Sequence, residues 1–427
     1  MQSLYNVAMR IVEKCARLVW WPPVGNHLSH EGKAYQLIAG QRNILQHIRQ
    51  EMADDKKEVY WVHAASLGEY GVARPILKKL QGENRCIVLT FFSPTGYQAL
   101  HDRKDTGADH IFYLPWDTRQ NASEFLDIMK PKRAVFIISE YWMNYLHQLG
   151  KRNIPTFVAS ALIPHDTYLK KWHAKSIRKS LKAVTTFMVL NQESKDTLAE
   201  MGFHNSIVMG DPLFDNALSI AQSPYQNAII ERFCETAGDG IFIAGSISDR
   251  NDLQLAAHIA NIHPDVKCIF VPHEINSQTI QAIKESVQQP SVCYSEVTAD
   301  TDFVTTQVLI IDYVGDLSRI YRYGRWAYVG GGFTPLLHSV IEPVVYGIPV
   351  AFGPRTHRKT TPQQMEALGI GKSVATAEEL EQWFAALKND ENLQASISKK
   401  AKDYALSHAG ATEAIVNTII NGTCHEE

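Results

Sequence analysis

Residues 59–80 read VYWVHAASLGEYGVARPILKKL. Val59 to His63 form a short apolar run of strand type, and SLGEYGVARPILKKL reads as a turn and then a helix. The same unit recurs along the chain. Cys86–Thr90 is followed by SPTG and a helical segment, and Ala134–Ser139 by EYWMNYLHQLGKR. Thr156–Ala159 and Phe187–Leu190 repeat the pattern. Strands that are apolar throughout, with amphipathic stretches between them, are buried on both faces, which predicts a parallel, doubly wound sheet.

A second series begins after a break. Gly210-Asp211-Pro212 and the polar stretch 223–240 interrupt the pattern, and then come Ile241–Ala244, Cys268–Val271, Val308–Ile311, Trp326–Val329 and Pro349–Phe352. With 427 residues the chain exceeds what one core serves. The expected organisation is an N-terminal helix (1–25), a first α/β domain (26–205), a linker (206–238), a second α/β domain (239–405) and a C-terminal helix (406–427) that can pack back on the first domain. Thr376 with Glu379 reads as a capping box that starts the helical tail.

Composition narrows the class. The chain is 45% hydrophobic and 20% charged, with a net charge of −3. That excludes disordered and collagen-like chains and argues against a mainly electrostatic nucleic-acid binder. Six scattered cysteines without a C-x-x-C pair disfavour a disulfide framework and fit a reducing compartment. No apolar stretch is long enough to span a bilayer. Leu4, Ala8, Ile11, Cys15, Leu18 and Val19 fall near one helical face, while Arg10, Glu13, Lys14 and Arg17 spoil a signal-peptide core. A helix ending in Trp20 and Trp21 suits a membrane interface, and a helix packed on its own domain fits the same residues. Residues 165–182 carry six Lys and Arg residues with Trp172. They form a basic patch that is either a solvated face or an attraction for anionic lipid or a phosphorylated acceptor.

Ligands of open α/β sheets bind beyond the carboxyl ends of the strands, so the residues after each run are the candidates. Ser66-x-x-Glu69 after the first run is a capping box or a carboxylate held as general base. Glu140 follows the AVFIIS run, either as a first-turn acid favoured by the helix dipole or as a site carboxylate. Gly330-Gly331-Gly332 after Trp326–Val329 lets a ligand approach the backbone, with exposed amides suited to phosphate. Glu342 downstream suits a ribose diol, and a tight turn with a structural carboxylate is the other reading. Ala244-Gly245-Ser246-Ile247-Ser248 is a phosphate or substrate loop or a plain helix cap, and the basic loop 353–359 either neutralises an anion or is simply solvated. His63 and His338 read as structural histidines. The glycine turn is neither G-x-x-x-x-G-K-[ST] nor G-x-G-x-x-G, so a P-loop NTPase is not expected; without H-E-x-x-H no metal site is expected, and without G-x-S-x-G an α/β-hydrolase is disfavoured.

The motifs HAASLGEYGVARPIL, LTFFSPTGYQAL, YLPWDT, ISEYWMNYL, LNQESKDTLAEMG, GDPLFD, IAGSIS, VGGGF and IEPVVYGIPVAFGP run in order from about residue 60 to 360. Together they resemble the 3-deoxy-D-manno-octulosonic acid (Kdo) transferases, inverting glycosyltransferases of lipopolysaccharide assembly. The resemblance implies a GT-B fold, two Rossmann-like doubly wound domains facing across a cleft. It implies a CMP-Kdo donor, a lipid A precursor as acceptor, no cofactor or metal, and peripheral attachment to the cytoplasmic face of the bacterial inner membrane. Glu69 would be the base and Glu140 a second catalytic carboxylate. Ser66, Gly68, Ser93 and Thr95 would meet the acceptor. Ser246, His273, Gly330, Gly331, Gly332, Ser339 and Glu342 would meet the CMP group. Three places depart from the family pattern: Ser339 stands where many members have Asn, His273 where many have Arg, and Ser160-Ala161-Leu162 where N-A-R is frequent. The residues also leave open a GT-B transferase or epimerase acting on a UDP-linked sugar, and a non-catalytic sugar-binding protein.

Overall fold

The computed structural model describes residues 2–17, 32–238, 240–356 and 359–422. Trp20, Trp21, His357, Arg358 and Cys424 lie outside the described residues. The chain divides into two units, residues 1–216 with 409–427 and residues 217–408.

The first unit is built on a seven-stranded sheet of β1 (Glu58–His63), β2 (Arg85–Phe91), β3 (His110–Tyr113), β4 (Arg133–Ile137), β5 (Thr156–Ala161), β6 (Thr186–Val189) and β7 (Ser206–Val208). Its order is β3-β2-β1-β4-β5-β6-β7, with every pairing parallel. Helices cover both faces. Ile44, Ile48, Phe125 and Tyr145 pack with Trp61 and Phe136 on one side, and Val72, Ile76 and Ile415 with Val62 and Leu89 on the other. The second unit repeats the plan with β8 (Ile241–Ile247), β9 (Lys267–Pro272), β10 (Ser291–Cys293), β11 (Val308–Ile310), β12 (Trp326–Val329), β13 (Val350–Phe352) and β14 (Gly371–Ser373). Its order is β10-β11-β9-β8-β12-β13-β14, again all parallel.

The ten apolar runs of the sequence are the ten interior strands. The four strands that the runs do not mark, β3, β7, β10 and β14, are the four sheet edges. Interior strands have two covered faces and read as continuous apolar runs, whereas short edge strands keep polar residues and lose that signature. The stretch 206–238 holds β7 and the helices Pro212–Gln222 and Ala228–Glu235, and the boundary between the units falls between Asn216 and Ala217. The helix Ala411–Asn421 belongs to the first unit and packs on the helix Leu67–Leu80.

The N-terminal helix, Gln2–Arg17, is tied to the first unit. Tyr5 donates to Asp117 at 2.6 Å and Ala16 is buried. Leu4, Val7, Ile11 and Val12 remain exposed. Residues 165–182 do not form one basic helix. Two 3-10 turns precede a short helix at Lys175–Leu181. Lys170 pairs with Glu200 at 2.6 Å and Arg178 caps backbone carbonyls, while Lys171, Lys175, Lys179 and Lys182 are exposed, as is Trp172 at 79%.

Candidate active site

β1 and β4 are neighbours, so the loops leaving their carboxyl ends lie side by side. After β1, Ser66 caps the helix Leu67–Leu80 by accepting from the Glu69 amide at 3.4 Å, and the Glu69 carboxylate accepts from the Ala65 amide at 2.5 Å. The capping geometry is therefore real. It also aims the carboxylate back over the strand end instead of out to solvent. Burial pushes Glu69 up to about 7, the charge of Glu140 adds to it, and the amides of Ala65 and Ser66 oppose it. Burial likewise raises Glu140, whose side chain is 24% exposed. The charge of the half-buried Glu140 thus acts on the half-buried Glu69 at adjoining strand ends.

Glu140 is reached through Ile138, a β-branched residue at φ 64°. That conformation is strained, and it is held by the Ile138 amide donating to the Ala159 carbonyl at 2.8 Å. His63, fully buried, sits beneath. Its Nε2 accepts from the Trp142 indole at 3.0 Å and its Nδ1 contacts the Thr90 hydroxyl at 2.9 Å, which places the proton on Nδ1. Burial lowers His63 to about 3. The 3.9 Å approach of its Nε2 to Glu140 is accordingly a contact with a neutral ring, not an ion pair. The sequence gives no sign of Ile138 or of the Trp142–His63–Thr90 chain.

Ser93 and Thr95 join this cluster. The loop after β2 is bound to the loop after β1 by the Phe92 and Ser93 amides, which both donate to the Ala65 carbonyl, at 3.3 and 2.7 Å. The Ser93 and Thr95 hydroxyls lie 2.8 Å apart and remain accessible. Gly68 is exposed, and a methyl group there would meet only the Ser66 hydroxyl, so its lack of a side chain is not a packing requirement.

In the second unit Ser246, Ser339 and Glu342 line a groove of about 300 Å³ with Ser318, Tyr321 and His338. Burial raises Glu342 to about 7 against a hydrogen bond with Ser318. Ser246 stands at φ 54°, where β8 shifts register against β9. His273 lies ring to ring with His338 (centroids 4.3 Å apart), and His338 Nε2 is 2.8 Å from the Ser248 hydroxyl. Burial, then His273 and Lys359, lowers His338 to about 4.

The glycine turn corrects one expectation. Gly330, Gly331 and Gly332 are buried, and two of their amides are already used: Gly330 donates to the Gly245 carbonyl at 2.9 Å and Gly331 to Asp252 at 2.8 Å. These amides are not exposed phosphate receivers. The glycines are required by close packing, since a Cβ would fall 2.2 Å from the Ser246 carbonyl oxygen at 330 and 2.4 Å from that of Leu336 at 331. The sequence reading missed Asp252, which also accepts from the Ser248 amide at 3.0 Å and the Tyr328 hydroxyl at 2.7 Å, locking the turn to the β8 loop. Its place in the first turn of a helix gave no reason to single it out.

Two parallel seven-stranded sheets, each with its candidate site loops at the carboxyl ends of the strands, place the fold in the GT-B class. The solved UDP-GlcNAc 2-epimerase of Neisseria meningitidis shares the fold with a TM-score of 0.61 at 14% identity, over 85% of this chain and 100% of that one. Residues 40–216 match the family model described as 3-deoxy-D-manno-octulosonic-acid transferase (kdotransferase), and this segment is a domain of that family. The 3-deoxy-D-manno-octulosonic acid transferase of Aquifex aeolicus is 28% identical over 76% of this chain and 84% of its own length. The bifunctional glycosyltransferase/methyltransferase of Fusobacterium nucleatum is 24% identical over 82% of this chain, which spans only 56% of that longer protein.

Proposed function

We propose that the chain is an inverting glycosyltransferase that moves Kdo from CMP-Kdo to a lipid A precursor. The observation that carries the mechanism is the raised carboxylate of Glu69 beside Glu140. A base works best with a pKa near the operating pH. Glu69 takes the proton from an acceptor hydroxyl oriented by Ser66, Ser93 and Thr95. The oxygen attacks the anomeric carbon, CMP departs, and configuration inverts. Glu140 holds the acceptor side and keeps Glu69 raised. The nucleotide sits against Ser246, Ser339 and Glu342, with His273 at the phosphate, and Gly330 and Gly331, whose amides are engaged within the fold, shape this groove. The test is incubation with CMP-Kdo and a lipid A precursor. The expected products are CMP and an acceptor heavier by one or more Kdo residues. Turnover of a UDP-linked sugar without CMP release would instead favour the epimerase or UDP-transferase reading.

The acceptor is a membrane lipid, and the surface of the first unit supports peripheral docking at the cytoplasmic face of the inner membrane. No described helix is long and apolar enough to cross a membrane. The exposed Leu4, Val7 and Ile11 recur on one helical face, and Trp172 is exposed, as are Lys171 and Lys175. Substituting Leu4→Glu with Ile11→Glu is expected to weaken sedimentation with anionic vesicles by roughly tenfold or more. Turnover of a detergent-dispersed acceptor is expected to stay within about twofold. Unchanged vesicle binding would remove this helix from the docking surface.

A further inference from the structure

The opposite end of the first sheet carries a cluster that the transfer chemistry does not use. Asp55 lies in the turn between the helix Ile44–Glu51 and β1, Cys86 is the second residue of β2, and His110 opens β3. The parallel register pairs Val88 with His110, and Cys86 stands two residues before Val88 on the same face. This brings a thiol, an imidazole and a carboxylate together, with one ligand atom of each within 4.8 Å of the other two. His110 Nε2 is 3.6 Å from Asp55 Oδ2. Ligand atoms around a tetrahedral zinc ion stand roughly 3.3–3.6 Å apart, so the cluster needs only a small contraction.

We propose that Asp55, Cys86 and His110 form a binding site for one zinc-class divalent cation. The donor set is the argument. A soft thiolate with an imidazole selects zinc-like ions over magnesium or calcium. A thiolate and a carboxylate together balance a double positive charge, and the fourth position is left to water. Cys86 is fully buried, and binding of the cation replaces the thiol proton, which leaves to solvent. The surroundings fix two of the ligands. Asp55 accepts from the Lys57 amide at 2.9 Å with Oδ1, which turns Oδ2 toward His110, and the His110 ring lies parallel to Phe112. Asp109, next to His110 in sequence, is engaged by the Ile87 amide at 2.7 Å. Asp55 and His110 are both partly exposed, so the cluster is open to solvent on their side. The residues are 31 and 24 positions apart and match no ligand-spacing motif, so sequence reading expected no metal. The proposal is independent of the Kdo-transfer reading.

The test is titration of the chelator-treated full chain with Co(II), followed by Zn(II). The expected result is one equivalent bound, a thiolate-to-cobalt charge-transfer band, loss of that band on zinc addition, and a zinc-dependent rise in Tm. Cys86→Ser is expected to abolish the band while other thiols remain, and His110→Ala to weaken binding by roughly 10–100-fold. Cys86 is buried and its variant can fail to fold. His110 is partly exposed, so its variant keeps the test open. Absence of a thiolate band in the unmodified protein, a band that survives Cys86→Ser, or affinity unchanged in His110→Ala would each overturn the proposal.

Discussion

Glu69 caps its own helix and carries a raised pKa, and the two effects oppose each other. The amides of Ala65 and Ser66 favour the charged form, while burial and Glu140 disfavour it more strongly, so the value moves from 4.5 to about 7. With Glu69 as the base proposed above, kcat/KM is expected to rise with pH through about 7 as its carboxyl loses its proton. Glu69→Gln should lower turnover by roughly 10²–10⁴-fold and abolish that rise, as measured by CMP release across pH. The sign for stability is the reverse. Between 4.5 and about 7 the folded protein holds a proton that the unfolded chain has lost, so Glu69 costs stability increasingly as pH rises through that window. Glu69→Gln is expected to raise stability at about pH 8 by an amount on the order of 1–2 kcal/mol, and to do little at about pH 4, checked by urea melts at both.

Among the elements, the turn after β12 is held by a single side chain. Asp252 satisfies two backbone amides and a buried hydroxyl, and Gly330 and Gly331 leave no room for a methyl group. Asp252→Ala strands three donors and is expected to cost roughly 2–4 kcal/mol. Gly331→Ala adds strain at φ 86° to a clash and is expected to cost about 1–3 kcal/mol. Donor affinity should fall in both variants through loss of groove shape, as read by calorimetric titration with CMP alongside thermal melts. Undiminished CMP affinity in a folded Asp252→Ala protein would separate the turn from the nucleotide groove.

At the scale of the molecule, the last of the described helices, Ala411–Asn421, completes the first unit rather than the second. Ile415, Val416 and Ile419 are buried in the core over β1 and β2, and Asp215 accepts from the Gly410 and Thr412 amides, both at 2.6 Å. Each such side chain is worth about 1.5–3 kcal/mol when fully buried. Truncation after His408 is therefore expected to destabilise the first unit by several kcal/mol, enough to expose its core. Limited proteolysis should then cut first within residues 32–216, leaving the second unit resistant, and equal resistance of the two units would contradict this.

The apolar runs of the ten interior strands determined a pair of parallel doubly wound sheets, because a strand covered on both faces is apolar along most of its length and carries a polar side chain only where it finds a buried partner, as His63 does in Thr90. The four edge strands escaped for the complementary reason. The motifs also determined which strand ends to inspect. They did not separate a cap from a site. Ser66–Glu69 and Thr376–Glu379 are the same local device, with the second carboxylate accepting from the Ala375 amide at 2.7 Å as Glu69 does from Ala65. Glu379 is exposed, whereas Glu69 lies half-buried next to a carboxylate delivered by β4, some seventy residues away in the chain. The resemblance pointed to Glu69, but burial and charge proximity are properties of the packed chain, so only the tertiary structure gave it a physical distinction from Glu379, engaged the glycine amides and gathered Asp55, Cys86 and His110 at one end of the sheet.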